Sequence, residues 1–223
     1  MKTIIVTGAG KGIGKEVALK LSESNLVYAI SRDISNLNPS ETLKPIRFDL
    51  SVDTHELIEV LAGEGMEKID ILINNAGALI NKPFDQIERE ELTYIYKVNL
   101  FAPFSLTQSA LPYLKRSGHA HVVNIGSVGG VNGTSKFPGL SAYSSSKAAL
   151  SCLSECLSEE YKGSISFNCL ALGAVQTEML EQAFPGYQAP ISAEGMADYI
   201  VEFSLNGHKY MNGKTIMVSL SNP

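Results

Sequence analysis

The chain has 223 residues, of which 44% are hydrophobic and 18% charged, a composition typical of a folded globular protein. Its 18 basic and 23 acidic side chains give a formal net charge of −5, which does not favour binding to nucleic acid or to anionic membranes. No apolar stretch reaches the ~20 residues of a membrane span, and the three cysteines match no metal or redox spacing, so we expect a cytoplasmic protein without a bound metal.

Short apolar runs alternate with amphipathic helical patterns along the whole chain. The runs predict strands at Ile4–Val6, Leu26–Ile30, Pro45–Phe48, Ile69–Ile73, His121–Ile125, Ile165–Ala171 and Thr215–Val218. Helical periodicity covers Ile13–Leu21, Val52–Leu61, Glu88–Arg116, Ala142–Tyr161 and Ala193–Leu205. This alternation predicts one α/β domain over residues 1–223, a Rossmann-type, doubly wound parallel sheet of about seven strands with helices on both faces.

A glycine-rich segment, TGAGKGIG from Thr7 to Gly14, joins the first strand to the first helix. A dinucleotide diphosphate binds bare backbone N–H groups at a helix N-terminus, and glycines at positions 8, 12 and 14 leave that backbone uncovered. The alternative is a generic tight turn between strand and helix. The position after the first strand favours the dinucleotide site.

The second predicted strand ends at Ser31-Arg32-Asp33. A carboxylate at this tip accepts hydrogen bonds from the ribose of NAD, whereas NADP requires cations for its 2′-phosphate. Arg32, with Lys11 from the glycine turn, supplies two cations that suit a phosphate. The sequence therefore favours NADP(H), with NAD(H) as the alternative because Asp33 is adjacent.

A tyrosine and a lysine four residues apart, Tyr143 and Lys147, open a predicted helix and share one of its faces. A free tyrosine titrates near ~10, and a fixed cation beside it favours the phenolate. Ser127 follows a predicted strand, where its hydroxyl can polarise a carbonyl oxygen. A lone Tyr-x-x-x-Lys is common, but its combination with this serine and the glycine turn is specific.

On these motifs the sequence resembles the short-chain dehydrogenase/reductase family, in its compact single-domain branch. The match runs nearly end to end and includes Thr7-Gly8-x-x-x-Gly12-x-Gly14, Asp49-Leu50, Asn74-Asn75-Ala76-Gly77, Val98-Asn99, Ser127, Tyr143-x-x-x-Lys147 and Gly173-x-Val175-x-Thr177. One departure is Leu172, which stands where the family usually has proline, so we expect a less restrained backbone there.

The resemblance implies a role for each matching residue. Tyr143 is the general acid, Lys147 holds the nicotinamide ribose and lowers the pKa of Tyr143, and Ser127 orients the substrate oxygen. Asn99 binds a water of the proton relay. Asp49 and Leu50 are implied to lie beside the adenine, Asn75 and Ala76 along the adenosine ribose, and Val175 and Thr177 at the carboxamide. The other implied coenzyme contacts are Gly8, Lys11, Gly12, Ile13, Gly14, Arg32 and Gly77.

A proline gives the relay an independent argument. In an α-helix the N–H of residue 103 bonds the carbonyl of residue 99, and Pro103 has no N–H. If Glu88–Arg116 is helical, the Asn99 carbonyl is free to accept a bond from water. An incidental kink is the alternative, since Pro112 lies in the same predicted helix.

The leading functional hypothesis is an NADPH-dependent reductase of a small-molecule carbonyl (or, in reverse, an alcohol), active as a homodimer or homotetramer. Residues 178–192 are expected to form a short substrate lid, which suggests an open pocket or one completed by another subunit. The alternatives are a 3-oxoacyl-[acyl-carrier-protein] reductase and a catalytically silent NADP-binding sensor or scaffold. Outside the site, we expect His119 and His121 at an edge or surface, and Cys152 and Cys156 as small buried hydrophobic residues.

Overall fold

The structure is a computed structural model that describes residues 1–52 and 54–220. Two parts of the predictions lie outside the described residues. They are the domain limit at residue 223 and residue 53 of the second predicted helix. In chain order the elements are β1 (Thr3–Thr7), α1 (Gly12–Ser22), β2 (Leu26–Ser31), β3 (Leu43–Arg47), α2 (Thr54–Gly63), β4 (Ile71–Asn74), α3 (Arg89–Tyr96), α4 (Ala102–Leu114), β5 (Ala120–Ser127), α5 (Ser141–Glu160), β6 (Ile165–Leu172), β7 (Val175–Gln176), α6 (Glu178–Ala183), β8 (Ile191–Ser192), α7 (Ala193–Asn206) and β9 (Lys214–Val218).

The predicted doubly wound sheet is confirmed. Over the described residues it has seven strands in the order β3-β2-β1-β4-β5-β6-β9, and every pairing is parallel. The chain winds outward from β1 to β3 and then returns to build the other half from β4. The strand order therefore reverses between β1 and β4, the point at which such sheets open a crevice at the carboxyl ends of their strands.

Both faces of the sheet are buried beneath helices. Along β1, Ile4 and Val6 lie in an apolar cluster with α1 and α7, while Ile5 lies in a second cluster with α2 and α4. This alternation follows from the two-residue period of a strand, and burial on both faces explains why β1 reads as a continuous apolar run. The packing fixes the strand ends that carry the site.

The predicted helix Glu88–Arg116 is interrupted. Between α3 and α4 the segment Lys97–Phe101 forms a π-helical turn, in which the N–H of Ala102 donates to the Lys97 carbonyl. Because Pro103 has no N–H, the regular α-helical ladder cannot continue through this point. The proline therefore acts as the sequence indicates, but it produces a π turn in place of a continuous α-helix.

Sequence periodicity does not predict the shortest elements of the fold. The two-residue strands β7 and β8 pair in parallel, and α6 lies in the segment between them. Strands of this length carry no repeat that a pattern could reveal. At the end of β6, Leu172 pairs with Ser127 on one side and Val218 on the other, so this position lies within the sheet, and the effect of replacing proline there stays a prediction.

Two expectations away from the site are wrong. His121 is fully buried, because β5 lies between β4 and β6 in the middle of the sheet. Its Nδ1 lies 3.0 Å from the Ser204 carbonyl and its Nε2 lies 3.0 Å from Nδ2 of Asn168. Cys152 and Cys156 are exposed on the outer face of α5.

Candidate active site

The carboxyl ends of the central strands open into a cavity of about 530 Å³. Tyr143, Ser127 and Lys147 line it together with the glycine turn. Of the residues predicted for the site, the lining includes Gly8, Lys11, Gly12, Ile13, Gly14, Arg32, Asp49, Leu50, Asn75, Ala76, Gly77, Ser127, Tyr143, Lys147, Val175 and Thr177. Asn99 is fully buried behind this wall.

The glycine turn tolerates no side chain where a diphosphate would bind. Gly8 and Gly12 have φ angles of 68° and 53°, in the left-handed region that favours glycine. A Cβ on Gly14 would lie 2.3 Å from the Gly8 carbonyl oxygen, and one on Gly10 would lie 2.2 Å from the Asp33 carbonyl oxygen. Bare backbone at the start of α1 fits a dinucleotide diphosphate. Gly10 was missed as a required glycine, because only the strand tip beside it reveals the close approach.

Thr7 and Asn75 join the ends of β1 and β4 beneath this turn. The Thr7 hydroxyl oxygen accepts from the backbone N–H groups of Asn75 and Ala76, each at 3.0 Å. Nδ2 of Asn75 donates to the Thr7 carbonyl at 2.9 Å. Thr7, the last residue of β1, and Asn75, the first residue after β4, therefore tie the two strand ends together at the switch point.

Charged groups gather at one end of the cavity. Nη1 of Arg32 donates to the Tyr94 hydroxyl at 3.2 Å, while Lys11 lies at the N-terminus of α1. Asp49 accepts from the Ser51 N–H at 2.9 Å, and this bond, with smaller help from Arg32, lowers the pKa of Asp49. Asp33, which accepts from the Ser35 N–H at 2.9 Å, is not among the lining residues. Cations thus lie at the strand tip with the Asp49 carboxylate among the lining residues nearby.

At the other end, the first turns of α5 present Tyr143 and bury Lys147. Nζ of Lys147 donates to the Ile125 carbonyl at 2.8 Å and lies 6.0 Å from the centroid of the Tyr143 ring. Ser127 accepts from the Gly129 N–H at 3.3 Å, which leaves its own proton available to donate. Three groups able to handle a carbonyl oxygen and its proton therefore share one wall.

Burial dominates the electrostatics of Tyr143 and Lys147. Burial raises the pKa of Tyr143, and a hydrogen bond with Ser127 offsets part of that rise. Burial also lowers the pKa of Lys147 to about 8. Lys147 is not among the causes of this shift and its Nζ donates to the Ile125 carbonyl, so the lowering of the Tyr143 pKa by Lys147 stays a prediction for the coenzyme-bound site.

Asn99 uses its whole side chain for structure. Its Nδ2 donates to the Ala78 carbonyl at 2.9 Å and to the Ser146 hydroxyl at 3.0 Å, and its Oδ1 accepts from the Ala78 N–H at 2.8 Å. These bonds tie the loop after β4 to α5. A relay water at Asn99 would therefore bind the backbone carbonyl, the atom to which Pro103 cannot donate.

The β7–β8 pair frames the segment at residues 178–192. Thr177 accepts from the Leu180 N–H at 3.2 Å and so begins α6, while its side chain packs against Gly12. Val175 is buried in β7. Nδ2 of Asn81 donates to the Ala183 carbonyl at 2.8 Å. These contacts seat α6 over the cavity.

Several lining residues were not predicted as site residues. Tyr94 comes from α3, Leu79 from the loop after β4, and Phe137 and Leu140 from the loop after β5. Tyr94 and Phe137 lie outside the motifs, and Leu79 and Leu140 lie just beyond Gly77 and just before Tyr143, but none of the four carries a spacing of its own. The one available signal was an aromatic residue in a glycine-rich loop at the carboxyl end of a strand, where ligands bind.

Residues 1–52 and 54–220 contain neither a metal-binding cluster nor a membrane-spanning helix. No set of three or more His, Cys, Asp or Glu side chains in that part of the chain is arranged to hold a metal ion. Among the helices described there, none combines the length and apolarity needed to cross a membrane.

Comparison with known proteins identifies the family. The sequence profile described as short chain dehydrogenase matches residues 2–188. The 3-oxoacyl-[acyl-carrier-protein] reductase of Thermotoga maritima is 30% identical over 193 residues, covering 81% of this chain and 77% of that one. A 4-hydroxyisoleucine dehydrogenase complexed with NADH superposes with a TM-score of 0.88 at 26% identity, covering 98% and 97% of the two chains.

A short chain dehydrogenase of Escherichia coli CFT073, complexed with NADPH, superposes with a TM-score of 0.85 at 25% identity, covering 97% of this chain and 95% of the other. The likeness to these two structures extends over nearly the whole chain. The chain belongs to the short-chain dehydrogenase/reductase family of NAD(P)-dependent oxidoreductases.

Proposed function

We propose that the protein reduces a small-molecule carbonyl to an alcohol with NADPH, using Tyr143 as the general acid. The observation that supports this most is the shared wall of one cavity, in which Tyr143, Ser127 and Lys147 lie beside a glycine turn that fits a dinucleotide. Bound NADPH supplies a hydride, that is, a hydrogen nucleus with two electrons. The protein must then supply one proton to complete the alcohol.

Tyr143 suits the task of proton donor. Because burial raises its pKa, the phenol stays protonated at neutral pH and can give its proton to the carbonyl oxygen. Ser127 can donate to the same oxygen, because its hydroxyl keeps its proton while the oxygen accepts from the Gly129 N–H. The proton passes from the phenol to the new alcohol, and the phenolate must then be recharged.

Lys147 and Asn99 serve the recharging step. The ammonium of Lys147, with a pKa lowered to about 8, can give up a proton near neutral pH. The side chains of Lys147 and Asn99 both reach Gly77. An ideal Cβ built on that glycine would lie 3.5 Å from Nζ of Lys147 and 3.6 Å from Oδ1 of Asn99. A water on the Asn99 carbonyl then links Lys147 to solvent.

NADP(H) is the proposed coenzyme, and NAD(H) is the alternative. Arg32 and Lys11 line the cavity beside the tip of β2, and Asp33, the carboxylate that would suit NAD, does not. The two cations match the doubly charged 2′-phosphate. The remaining predicted coenzyme contacts, including Asp49, Leu50, Asn75, Ala76, Gly77, Val175 and Thr177, keep their proposed roles along the same cavity.

Residues 178–192 are proposed as the substrate lid of one coenzyme-binding and catalytic domain. The β7–β8 pair fixes both ends of this segment, and α6 lies between them. The expected homodimer or homotetramer stays a prediction.

Two other functions remain to be separated by experiment. Reduction of a 3-oxoacyl group on acyl carrier protein is favoured by the Thermotoga relative, but an acidic carrier docks on a basic surface and this chain has a net charge of −5. A silent NADP-binding sensor is disfavoured, because Tyr143 and Lys147 are both present in the cavity wall.

The test is NADPH oxidation with a panel of diketones, quinones and 3-oxoacyl thioesters, free and carrier-bound. Reduction of a free carbonyl supports the proposal. Reduction of the carrier-bound substrate alone selects the second function. NADPH binding without oxidation across the whole panel contradicts both and selects the sensor.

A further inference from the structure

The cavity has a charged part and an apolar part. Its charged lining residues, over the described chain, are Lys11, Arg32, Asp49, Lys147 and Glu178. The first three surround the coenzyme end, and Oε2 of Glu178 lies 3.4 Å from an ideal Cβ on Gly12, over the glycine turn. Lys147 is held by the Ile125 carbonyl. The region beyond Tyr143 and Ser127 therefore has no lining charge from these described residues.

Three segments wall this region, which we call the apolar subsite. Leu79 comes from the loop after β4, Phe137 and Leu140 from the loop after β5, and Phe184 and Tyr187 from the proposed lid. The walls are joined to one another. The Lys82 N–H donates to the Gly139 carbonyl at 3.0 Å, and Asn81 holds the Ala183 carbonyl of the lid. The apolar subsite is thus already formed.

The cations on these walls are engaged elsewhere. Nζ of Lys82 lies 2.9 Å from the Glu91 carboxylate, and Nζ of Lys136 donates to the Thr134 hydroxyl at 2.9 Å. Neither lysine is among the lining residues. A carboxylate entering the apolar subsite would lose its water without gaining a cation, which is strongly unfavourable, whereas an apolar group would gain by the same desolvation.

Two aromatic side chains at the mouth point to the same ligand chemistry. Phe137 and Tyr187 are 50% and 49% exposed, respectively. Large exposed apolar side chains that gather around a cavity mark a binding surface, because a ligand covers them. Aromatic rings on two walls suit an aryl group or a bulky alkyl group.

We infer that the substrate is an uncharged ketone or aldehyde carrying an apolar, preferably aryl, group beside its carbonyl, and that carbonyls bearing a carboxylate are poor substrates. The inference rests on the proposed carbonyl reduction and adds its substrate class. It assigns specificity to the apolar subsite, with Phe137 at its mouth.

The experiment compares methyl 4-acetylbenzoate with 4-acetylbenzoate, which share a ketone and an aryl ring and differ in one charge on that ring. With saturating NADPH we expect kcat/KM for the ester to exceed that for the acid by at least ~100-fold, because the acid leaves a buried charge unpaired. Phe137→Arg introduces a cation at the mouth, so it raises kcat/KM for the acid by about ten-fold and lowers it for the ester.

Phe84→Arg is the matched control. Phe84 is 82% exposed and is not among the lining residues, so the same substitution there leaves kcat/KM for the acid and kcat/KM for the ester unaltered. An acid reduced as well as the ester overturns the substrate class and leaves carbonyl reduction standing. If neither compound supports NADPH oxidation, the substrate class is also overturned. The proposed function is contradicted only if no carbonyl of the panel described above supports NADPH oxidation either.

Discussion

Lys147 is bonded to a strand and not to the phenol beside it: its Nζ donates to the Ile125 carbonyl at 2.8 Å and lies 6.0 Å from the Tyr143 ring centroid. A buried ammonium with one hydrogen bond is costly, and its pKa falls accordingly to about 8. The protein keeps this charge next to the proposed general acid at the expense of folding stability. That conflict between stability and chemistry is measurable.

Lys147→Met should destroy activity and stabilise the fold below pH 8. In the wild type both the folded and the unfolded chain are protonated there, so the whole cost of burying the charge is present. Between the folded pKa of about 8 and the ordinary value of 10.5, only the unfolded chain keeps its proton, so wild-type stability rises with pH. The advantage of Lys147→Met should shrink by about 3 kcal/mol across that range, as measured by urea unfolding.

The same titration should appear in catalysis. We expect kcat/KM for reduction to fall above about pH 8, as Lys147 loses the proton that recharges Tyr143. Two results together would show that Lys147 is not buried as a cation. One is a kcat/KM that does not change from pH 7 to 9.5, and the other is a free energy of unfolding that changes equally with pH in the wild type and in Lys147→Met.

Arg32→Asp should shift coenzyme preference toward NADH. The substitution removes a cation from the phosphate end and adds a carboxylate that can accept from a ribose hydroxyl. We expect the NADPH/NADH ratio of kcat/KM to fall by about 10²-fold or more, since a charged contact becomes a repulsion. Arg89→Asp, on the exposed first turn of α3 and outside the cavity lining, is the control. An unchanged ratio in Arg32→Asp would remove Arg32 from the coenzyme site.

Gly14→Ala should abolish coenzyme binding without unfolding the protein elsewhere. The added Cβ would lie 2.3 Å from the Gly8 carbonyl oxygen, so the turn must shift. Gly118→Ala is the matched control, because its Cβ meets nothing within 4 Å. Fluorescence titration with NADPH should show loss of binding in the first variant and normal binding in the second. Normal binding in both would mean that the turn does not hold the diphosphate.

His121 should make the fold sensitive to acid. Its buried ring accepts from Asn168 through Nε2 and donates to the Ser204 carbonyl through Nδ1, so it must be neutral. Burial lowers its pKa from 6.5 to about 4, with smaller contributions from His208, His119 and Lys2. The unfolded chain takes up this proton first, so stability falls as the pH drops from 6.5 to 4, by up to about 3 kcal/mol.

Chemical unfolding at pH 7 and pH 4.5 tests this, with His121→Gln as the comparison. The variant should be less stable at pH 7 and should lose less stability on acidification. An equal loss in both proteins would assign the acid sensitivity to other groups.

Local motifs made much of the site predictable. Glycines at fixed spacing after β1 and a lysine one helical turn beyond Tyr143 are short-range patterns, and they line one cavity as the sequence indicates. Parallel strands bring such motifs to one sheet edge, even though Gly8 and Tyr143 lie far apart in the chain. Strand and helix types were correct for the same reason, since each element carries its own periodicity.

Other features depended on contacts that no local pattern reveals. The burial of His121 follows from the central position of β5, and the apolar subsite forms where Leu79, Phe137 and Phe184 meet from three segments. The sequence places Lys147 near Tyr143, but it cannot show that burial raises the pKa of Tyr143 or that Nζ of Lys147 bonds the Ile125 carbonyl.

Tyr143→Phe in a single turnover tests the central claim most directly. With enzyme-bound NADPH and an accepted ketone, the rate of coenzyme oxidation should fall by about 10²–10⁴-fold, the usual contribution of a general acid. The Kd for NADPH should stay within about two-fold, and Tyr210→Phe, a side chain 84% exposed and outside the cavity lining, should behave as wild type. A Tyr143→Phe rate equal to that of Tyr210→Phe would contradict the account.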